Sequence, residues 1–437
     1  MKASTGNYVA TPGGHVAGEV RVPGDKSISH RAALLGAIAQ GRTEIQGFLE
    51  GADCASTLAA LSAMGVQHER LGPGHLVVHG AGMHGLRVPL RALDLGNSGT
   101  SMRLLAGILA GQAFESTLVG DASLMQRPME RVAEPLRRMG ADIKTRDGRP
   151  PVTIRGLRAL IGREHRLDLP SAQVKSALLL AGLYANGLTR VQEPGISRDH
   201  TERMLGAFGV AVGREADIIS IEGPATLRAA SIRIPGDFSS AAFFVAAGVI
   251  SGKDQLVIRD VGINPTRTAL LDILRLMGAD IRVHAQRSAD EEPRADIEVH
   301  PGQLRGIEVP PALVPIAMDE LPVLIAVAAL AEGETVVTGA TELRVKESDR
   351  LAAMTTGLAA LGVAVEPLPD GLRIQGGHVR GGTVDSHGDH RVAMAFAILG
   401  ARAESPVIVR DVQNVATSFP AFAPTARALG LRLSEAG

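Results

Sequence analysis

The sequence repeats one pattern six times: a short polar cluster, an apolar alanine-rich run ending at a glycine, and a strand-like segment. The period is roughly 65–85 residues, which is the size of a small subdomain and not of one solenoid hairpin. The pattern predicts an α/β protein built from six similar βα units. The polar openings are GDKSISHR, GNSGTSMR, PSAQVKSA, GDFSSAAF, MDELPVLI and HGDHRVAM.

A second marker recurs in step with the first and predicts an amphipathic helix in every unit. Each such helix is expected to end at an apolar residue followed by glycine, because glycine commonly follows a helix end. The helices that open on the polar clusters are apolar nearly all round, so we expect them to be buried. The pairs are Met64-Gly65, Met139-Gly140, Phe208-Gly209, Met277-Gly278, Leu361-Gly362 and Leu429-Gly430.

The first unit gives the expected order in detail. A buried helix is predicted over residues 28–38 and is stopped by Gly41, and residues 43–48 alternate as a half-buried strand. Asp53 is expected to cap a second helix that runs to Met64.

Composition narrows the class of protein. The 437 residues carry a formal net charge of −1 and no tryptophan, which argues against nucleic-acid binding and base stacking. The single cysteine, Cys54, excludes an intramolecular disulfide and a cysteine-based zinc site and fits a reducing compartment. The apolar runs are too short and interrupted to span a bilayer, and no signal-peptide pattern is present. We therefore expect a cytoplasmic protein that binds neither nucleic acid nor membrane.

Six units divide naturally as three and three, with the boundary near Arg233, so residues 24–233 form the predicted N-terminal three-unit domain. Polar clusters at helix starts bind phosphate and carboxylate groups, and ligands commonly bind between two halves of a protein. The sequence therefore predicts a multiply anionic ligand in an interdomain cleft.

The first cluster is the strongest candidate for an anion site. Lys26 and Ser27 lie at a helix start, and Arg31 follows four residues later on the same face. This arrangement suits an anion held by one hydroxyl and two cations, whereas the alternative is a capped helix with surface cations. Other candidates fit a helix cap, a plain turn or a solvated arginine as well as a ligand: the backbone of GNSGTSMR, Arg127, Ser171, Gln173, Ser197 and Arg198.

Acidic residues mark the second half of the chain. Asp319 and Glu320 precede a wholly apolar helix, either as favourable charges at its N-terminus or as a general base near a hydroxyl. Lys346 and Arg350 are four residues apart, which predicts one helical face beside Glu347, although a solvated amphipathic helix has the same pattern.

The last cluster, HGDHRVAM, places Asp389, His390 and Arg391 at the mouth of a buried helix. Adjacent residues rarely converge on one ion, so we predict no metal site there.

Together the clusters resemble the enolpyruvyl transferases, and most closely the branch that acts on shikimate 3-phosphate. The resemblance implies an inside-out α/β barrel of two domains with three units each, in which residues 1–23 join residues 234–437 and the active site lies in the interdomain cleft. The matching segments run in order from Gly24 to Pro420: GDKSISHR, GNSGTSMR, QRP, SAQVKSA, SRDHTE, GDFSS, MDE, ELRVKESDR, GDHR and TSFP.

The resemblance also implies an activity: transfer of the enolpyruvyl group of phosphoenolpyruvate to the 5-hydroxyl of shikimate 3-phosphate, with release of phosphate. The reaction passes through a tetrahedral intermediate, belongs to chorismate and aromatic amino-acid biosynthesis, and needs no metal or organic cofactor. The family member is expected to act as a monomer on these two small substrates.

Residue roles follow from the resemblance by position. Asp319 takes the hydroxyl proton, Glu347 protonates the methylene carbon and later removes a proton, and Lys26 stabilises the intermediate with Lys346. His390 is expected to position Arg391, while Asp53 and Asn97 support the site. Shikimate 3-phosphate is held by Lys26, Ser27, Arg31, Ser171, Ala172, Gln173, Ser197, Arg198, Asp319 and Lys346. Phosphoenolpyruvate is held by Lys26, Gly99, Arg127, Gln173, Arg350 and Arg391.

The chain departs from some relatives at Thr417, which occupies a position where they carry a lysine that contacts phosphoenolpyruvate. Gly99 leaves the phosphoenolpyruvate site free of a side-chain methyl, so we expect sensitivity to glyphosate, a competitor of that substrate in this family.

Three alternatives remain at the level of sequence. The sister branch that uses UDP-N-acetylglucosamine carries a loop cysteine, whereas we interpret Cys54 as a small buried helical residue. A non-catalytic anion-binding relative has no need for both Asp319 and Glu347. A purely structural repeat protein is disfavoured by buried helices that open on lysine and arginine.

Overall fold

A computed structural model describes residues 6–156, 160–286 and 292–436, and their contacts divide them into two units. One unit contains the described parts of Met1–Pro23, Pro235–Arg287 and Pro293–Gly437. The other contains the described parts of Gly24–Ile234, together with Glu292. We refer to them as the outer-chain unit and the inner-chain unit.

The described residues form twelve α-helices of two alternating kinds. The odd-numbered helices are buried along almost their whole length: α1 Lys26–Ile38, α3 Gly99–Ala110, α5 Ala172–Gly182, α7 Phe238–Ser251, α9 Leu321–Ala328 and α11 His390–Leu399. The even-numbered helices each keep a solvent-facing side: α2 Ala52–Ala63, α4 Glu130–Arg138, α6 His200–Ala207, α8 Ala269–Leu276, α10 Arg350–Ala360 and α12 Phe422–Ala428. Short 3₁₀ turns occupy Leu124–Gln126, Thr341–Val345, Gly400–Arg402 and Gln413–Thr417.

The strands of the described ranges form six small sheets, three in each unit. The inner-chain strands are β3 Gln40–Gln46, β4 Gln67–Gly72, β5 His75–Ala81, β6 Leu93–Asp94, β7 Glu115–Val119, β8 Asp142–Arg146, β9 Arg149–Arg155, β10 Glu164–Arg166, β11 Gly187–Gln192, β12 Gly213–Glu215, β13 Ile218–Gly223 and β14 Ser231–Arg233. The outer-chain strands are β1 Asn7–Thr11, β2 Val16–Arg21, β15 Gly252–Gly262, β16 Ile281–Gln286, β17 Arg294–Val299, β18 Glu334–Val337, β19 Ala364–Leu368, β20 Gly371–Gln375, β21 Gly382–Asp385, β22 Val407–Arg410 and β23 Arg432–Ala436.

Each inner-chain sheet repeats one plan. The orders are β14-β3-β5-β4, β6-β7-β9-β8 and β10-β11-β13-β12, and in every one the first pair is parallel and the rest are antiparallel. The parallel β14–β3 pair, with Ile232 opposite Ile45, brings the end of the unit back to its start.

The outer-chain sheets are β21-β22-β1-β23, β16-β17-β15-β2 and β18-β20-β19. The two N-terminal strands complete the first two of them, because β1 pairs with β22 and β23 and β2 pairs in parallel with β15. Buried helices α7, α9 and α11 contact one another, so helices form the core of this unit and its sheets surround them. Among the described residues, no helix is long and apolar enough to cross a membrane.

The six apolar–glycine pairs mark helix ends as predicted. Each even-numbered helix ends one residue before its pair, and the glycine takes a φ between +80° and +107°. Side chains rarely adopt this left-handed backbone, which explains why glycine recurs there.

The first unit differs from its prediction in four details. The strand predicted over residues 43–48 is β3, Gln40–Gln46. Helix α1 begins at Lys26, two residues early, because Asp25 accepts from the Ile28 amide at 2.9 Å and caps it. Gly41 does not stop that helix but lies inside β3 with φ +108°. Asp53 does not cap α2, whose N-cap is Gly51; its carboxylate is engaged elsewhere, as described below.

Two buried histidines make stability depend on pH. Burial lowers the pKa of His30 to about 3 and that of His165 to about 4. Both rings stay neutral in the fold while the unfolded chain takes up protons below about pH 6.5. The stability that these two neutral histidines contribute is therefore fully present above pH 6.5. It is lost as the pH falls toward 4 for His165 and toward 3 for His30. At pH 5, which lies above both folded pKa values, we expect each histidine to lower the free energy of unfolding by about 2 kcal/mol relative to pH 7.

The check is denaturant unfolding at pH 7 and pH 5. Neither ring nitrogen of His165 has a hydrogen-bond partner among the described residues, so His165→Leu leaves no partner unpaired. We expect His165→Leu to lose less free energy of unfolding between pH 7 and pH 5 than the wild type does. His378→Leu, at a side chain 91% exposed, should lose as much as the wild type. An acid loss equal to that of the wild type in His165→Leu contradicts the prediction.

Candidate active site

Lys26 is held at the start of α1 by a carboxylate from α2. Its Nζ lies 3.0 Å from Asp53 Oδ2, and the lysine side chain is only 18% exposed. Asp53 was expected to cap α2, but it lies one residue inside that helix with its carboxylate on Lys26. The contact fixes a cation at a helix start, where an anion is also attracted by the helix dipole.

Arg31 is buried and braces three elements. Its Nε donates to Thr201 Oγ1 at 2.7 Å, Nη1 to the Ser27 carbonyl at 2.9 Å, and Nη2 to Ser176 Oγ at 2.9 Å. Burial lowers the pKa of Arg31 to about 10, against the opposing attraction of Glu202. A guanidinium has five N–H donors, so two remain beyond these bonds. Arg31 positions the half-buried Ser27 besides any contact that it makes with a ligand.

The start of α3 lies beside a second arginine. Arg127 Nη2 donates to Asn97 Oδ1 at 2.6 Å, and Asn97 in turn donates to Asp121 Oδ2 at 2.8 Å. A methyl group built on Gly99 falls 3.1 Å from Arg127 Nη1. The solvated-arginine alternative for Arg127 is wrong, because the residue is 9% exposed and directed at the α3 N-terminus.

Sequence reasoning missed Arg103, which lies on α3 one turn after Gly99. Its Nη1 donates to Gln173 Oε1 at 2.5 Å, and Gln173 Nε2 donates to Thr100 Oγ1 at 3.0 Å. The available signal was its spacing, because Arg103 follows Gly99 by four residues and shares its helical face. The predicted ligand Gln173 is therefore oriented by α3.

Two predicted serines are attached to one buried carboxylate. Ser197 Oγ donates to Glu193 Oε1 at 2.6 Å, and the Ser171 amide donates to the same oxygen at 3.3 Å. Lys175, 2% exposed, lies 2.8 Å from Glu193 and 2.7 Å from Glu202. Sequence reasoning missed these two acids. A buried cation needs such partners, so an internal lysine at the start of an apolar helix is the signal that could have indicated them. Ala172 opens α5 directly after Ser171, and the half-buried Arg198 follows Ser197 in the chain.

The outer-chain cluster is centred on Asp319. Its Oδ1 lies 3.5 Å from Lys346 Nζ and 3.6 Å from Arg350 Nη1, and its Oδ2 lies 3.8 Å from Arg391 Nη2. The carboxylate is 16% exposed, so it is surrounded by three cations but remains accessible. Of the two interpretations of Asp319, helix cap or general base, this geometry favours the second, because the N-cap of α9 is Glu320.

Arg350 bridges the two acids that were predicted to act in chemistry. It is fully buried; its Nη2 lies 2.6 Å from Glu347 Oε2 and its Nε lies 2.8 Å from Asp389 Oδ2. Burial opposes its charge, but Asp389, Glu347 and Asp319 outweigh burial and raise the pKa of Arg350. Asp319 and Glu347 therefore share one permanently charged guanidinium.

The prediction that Lys346 and Arg350 share one helical face is wrong. Lys346 follows the 3₁₀ turn Thr341–Val345, and Arg350 is the first residue of α10. Their side chains nevertheless meet at Asp319 Oδ1, because the segment between them turns before α10 begins.

The start of α11 completes the cluster. Asp389 is fully buried and caps the helix by accepting from the Arg391 amide at 2.9 Å. Arg391 Nη1 donates to the main-chain oxygen of Asp319 at 2.8 Å. His390, also buried, precedes it in the same turn.

Thr417, at the position of the missing lysine, turns back on its own loop. Its hydroxyl donates to the Asn414 carbonyl at 2.7 Å, and Asn414 Nδ2 donates to the Gly388 carbonyl at 2.7 Å. The threonine therefore helps to fix a loop that supports the start of α11. Cys54 is fully buried on α2, as expected.

The chain is similar to known proteins of one enzyme family over nearly its whole length. The family model for EPSP synthase (3-phosphoshikimate 1-carboxyvinyltransferase) matches residues 10–425. Proteins named 3-phosphoshikimate 1-carboxyvinyltransferase from Methylococcus capsulatus and Acidithiobacillus ferrooxidans are each 55% identical, over 97% and 98% of this chain and 97% and 99% of theirs. A solved EPSP synthase from Acinetobacter baumannii is 48% identical, with a TM-score of 0.89 over 99% of this chain and 100% of that one. The chain therefore belongs to the EPSP synthase (3-phosphoshikimate 1-carboxyvinyltransferase) family.

Proposed function

We propose that the protein transfers the enolpyruvyl group of phosphoenolpyruvate to the 5-hydroxyl of shikimate 3-phosphate and releases phosphate. The observation that carries the proposal is that two carboxylates contact the buried Arg350: Asp319 lies 3.6 Å from its Nη1 and Glu347 lies 2.6 Å from its Nη2. Binding two anions needs no carboxylates, whereas moving protons to and from carbon and oxygen does. Membership of the EPSP synthase family supports the same reaction.

The reaction is assigned in two steps. In the first, Asp319 takes the proton of the 5-hydroxyl, the oxygen bonds to C2 of phosphoenolpyruvate, and Glu347 gives a proton to the methylene carbon. In the second, the methyl group of the tetrahedral intermediate returns a proton to Glu347, the double bond re-forms and the C2–O bond to phosphate breaks. The leaving phosphate carries away the proton that Asp319 took from the 5-hydroxyl, which restores the Asp319 carboxylate. The products are the enolpyruvyl ether and phosphate, so one proton cycles through Glu347.

The cations are assigned to the negative charge that both substrates bring. Lys26, Arg127 and the N-terminus of α3 at Gly99 provide positive potential in the inner-chain unit, and Gln173 adds a hydrogen-bonding amide. Lys346, Arg350 and Arg391 do so in the outer-chain unit. Fixed charges of this kind stabilise a charged intermediate without reorganisation, which is the largest single effect in many enzymes. Ser27, Arg31, Ser171, Ala172, Ser197 and Arg198 are assigned to shikimate 3-phosphate.

Arg350 also explains how Glu347 becomes an acid. Without substrate, its guanidinium lies 2.6 Å from Glu347 and favours the ionised carboxylate. A carboxylate or phosphate of phosphoenolpyruvate competes for the same donors. When Arg350 turns its donors to the substrate, Glu347 loses that stabilisation and takes up a proton more readily.

The first test measures phosphate release from purified protein. We expect release with phosphoenolpyruvate plus shikimate 3-phosphate and none with phosphoenolpyruvate plus UDP-N-acetylglucosamine. Release with the second pair alone would overturn the substrate assignment. No release with either pair, although shikimate 3-phosphate binds, would favour a non-catalytic relative.

Gly99 sets the expected response to glyphosate. A methyl group on Gly99 falls 2.8 Å from Arg103 Nη1 and 3.1 Å from Arg127 Nη1, so both arginines must shift. Gly99→Ala should raise the inhibition constant of glyphosate at least tenfold and raise KM for phosphoenolpyruvate less, while the wild type is inhibited. The matched control is Gly206→Ala on α6, where a methyl group meets nothing within 4 Å. Unchanged inhibition in Gly99→Ala, or a resistant wild type, contradicts this prediction.

The protein is further proposed to act as a cytoplasmic monomer without a metal. The buried free thiol of Cys54 suits a reducing compartment. Light scattering should give the chain mass of 45.5 kDa, and chelation with EDTA should leave phosphate release unchanged.

A further inference from the structure

A chain of buried polar groups leads to Arg391 from the start of α7. Arg267 Nη2 donates to Ser239 Oγ at 2.8 Å, and the Ser239 hydroxyl donates to Glu320 Oε1. The same Glu320 oxygen lies 3.6 Å from Arg391 Nη1. Arg267, Ser239 and Glu320 are 2%, 5% and 1% exposed, so the charges of Arg267 and Glu320 are buried away from water. None of the three is assigned to a substrate.

The direction of every bond in this chain is fixed. A serine hydroxyl has one proton, and here it is given to the Glu320 carboxylate while the oxygen accepts from a guanidinium that has only donors. Hydrogen bonds in series between opposite charges strengthen one another in a low-dielectric interior. Ser239 therefore fixes Glu320 in one orientation. At the far end, Arg267 lies 3.8 Å from Asp237, the residue that caps α7.

Glu320 and its neighbour hold one nitrogen of Arg391 together. Nη1 donates to the Asp319 carbonyl oxygen at 2.8 Å and lies 3.6 Å from Glu320 Oε1. Nη2 is directed to the Asp319 carboxylate at 3.8 Å. The plane of the guanidinium is thus set by residues 319 and 320, and Glu320 is set by Ser239.

We propose that Arg267, Ser239 and Glu320 form a positioning relay that orients Arg391 toward phosphoenolpyruvate. This inference rests on the proposed function, in which Arg391 binds that substrate. A planar guanidinium recognises a carboxylate or phosphate through two parallel bonds, so its orientation controls affinity. Loosening the relay should therefore weaken phosphoenolpyruvate binding and leave shikimate 3-phosphate binding and the proton transfers intact.

The test uses Ser239→Ala, Glu320→Gln and the double variant in the full-length protein. Each single variant should raise KM for phosphoenolpyruvate about tenfold, with kcat and KM for shikimate 3-phosphate within about twofold of the wild type. Because both act through one relay, the double variant should raise KM no more than the larger single effect. The matched control is Ser251→Ala on the same helix, a buried serine whose hydroxyl donates to the Ala247 carbonyl at 2.7 Å.

Several outcomes overturn the relay. A KM for phosphoenolpyruvate within twofold of the wild type in both single variants would do so. A second such outcome is a fall in kcat together with a rise in KM for both substrates, in a variant that melts at a lower temperature than Ser251→Ala. That combination indicates a structural role. Multiplied effects in the double variant would place Ser239 and Glu320 in separate roles. A wild type without turnover refutes the proposed function instead, and the same comparison of variants is then made on the dissociation constant of phosphoenolpyruvate, measured by calorimetry with shikimate 3-phosphate present.

Discussion

Glu347→Gln is expected to lower kcat by about 10³–10⁴, the largest effect of any single substitution considered for this chain. Glutamine keeps the shape of the side chain and can still accept from Arg350, 2.6 Å from the carboxylate in the wild type. It can neither give nor take a proton. Because Glu347 is assigned to both protonation of the methylene carbon and deprotonation of the methyl group, both steps should slow.

The measurement is steady-state phosphate release, accompanied by turnover in D₂O. If one carboxyl proton cycles between Glu347 and carbon, the wild type should place deuterium in the vinyl group of the product, and Glu347→Gln should not. Glu366→Gln is the control. Glu366 lies on β19 of the same unit, is 65% exposed and forms an ion pair with Arg373. A kcat within tenfold of the wild type, or unchanged deuterium in the product, would remove Glu347 from the proton transfers.

The repeat predicted the fold well because its signals are local. The apolar–glycine pairs locate the ends of six helices, since the backbone two residues past each helix end is left-handed and favours glycine. The runs that are apolar all round identify the buried helices, and this signal is local too. A helix buried on every side has no polar face in its sequence. Errors arose where two local signals competed. Gly41 looked like a helix stop, but α1 already ends at Ile38, and the glycine lies in β3 with φ +108°.

The sequence identified candidate site residues but not how their side chains pair. Lys26 and Asp53 are 27 residues apart, and Arg31 and Thr201 are 170 apart, so no spacing in the sequence joins them. The residues that sequence reasoning missed, Arg103 and Glu193, contact other protein groups. Arg103 closes the GNSGTSMR cluster, whereas Glu193 lies in none of the clusters. Lys346 and Arg350 show the limit most directly. Their four-residue spacing predicted a helical face, whereas a turn joins them and Asp319 brings them together.

Asp319→Asn is expected to lower kcat by about 10²–10³ at pH 7, because it removes the base for the 5-hydroxyl and keeps the side-chain shape. The loss of one negative charge is tolerated in the fold, since Glu347 and Asp389 still contact Arg350 at 2.6 and 2.8 Å. Asp280→Asn, at a 51% exposed surface residue, serves as the control.

The pH dependence of the Asp319→Asn variant distinguishes a lost base from a distorted site. Without the carboxylate, the hydroxyl proton must leave to hydroxide, so kcat of the variant should rise about tenfold per pH unit between pH 7 and 9. The wild type has its base in place and should show no such rise. The cations that remain around the position, Lys346, Arg350 and Arg391, should hold the developing alkoxide in the variant and make that alkaline rescue visible. A variant whose rate is low and independent of pH would instead assign Asp319 to organising these three cations, because a site that has merely lost its geometry gains nothing from hydroxide.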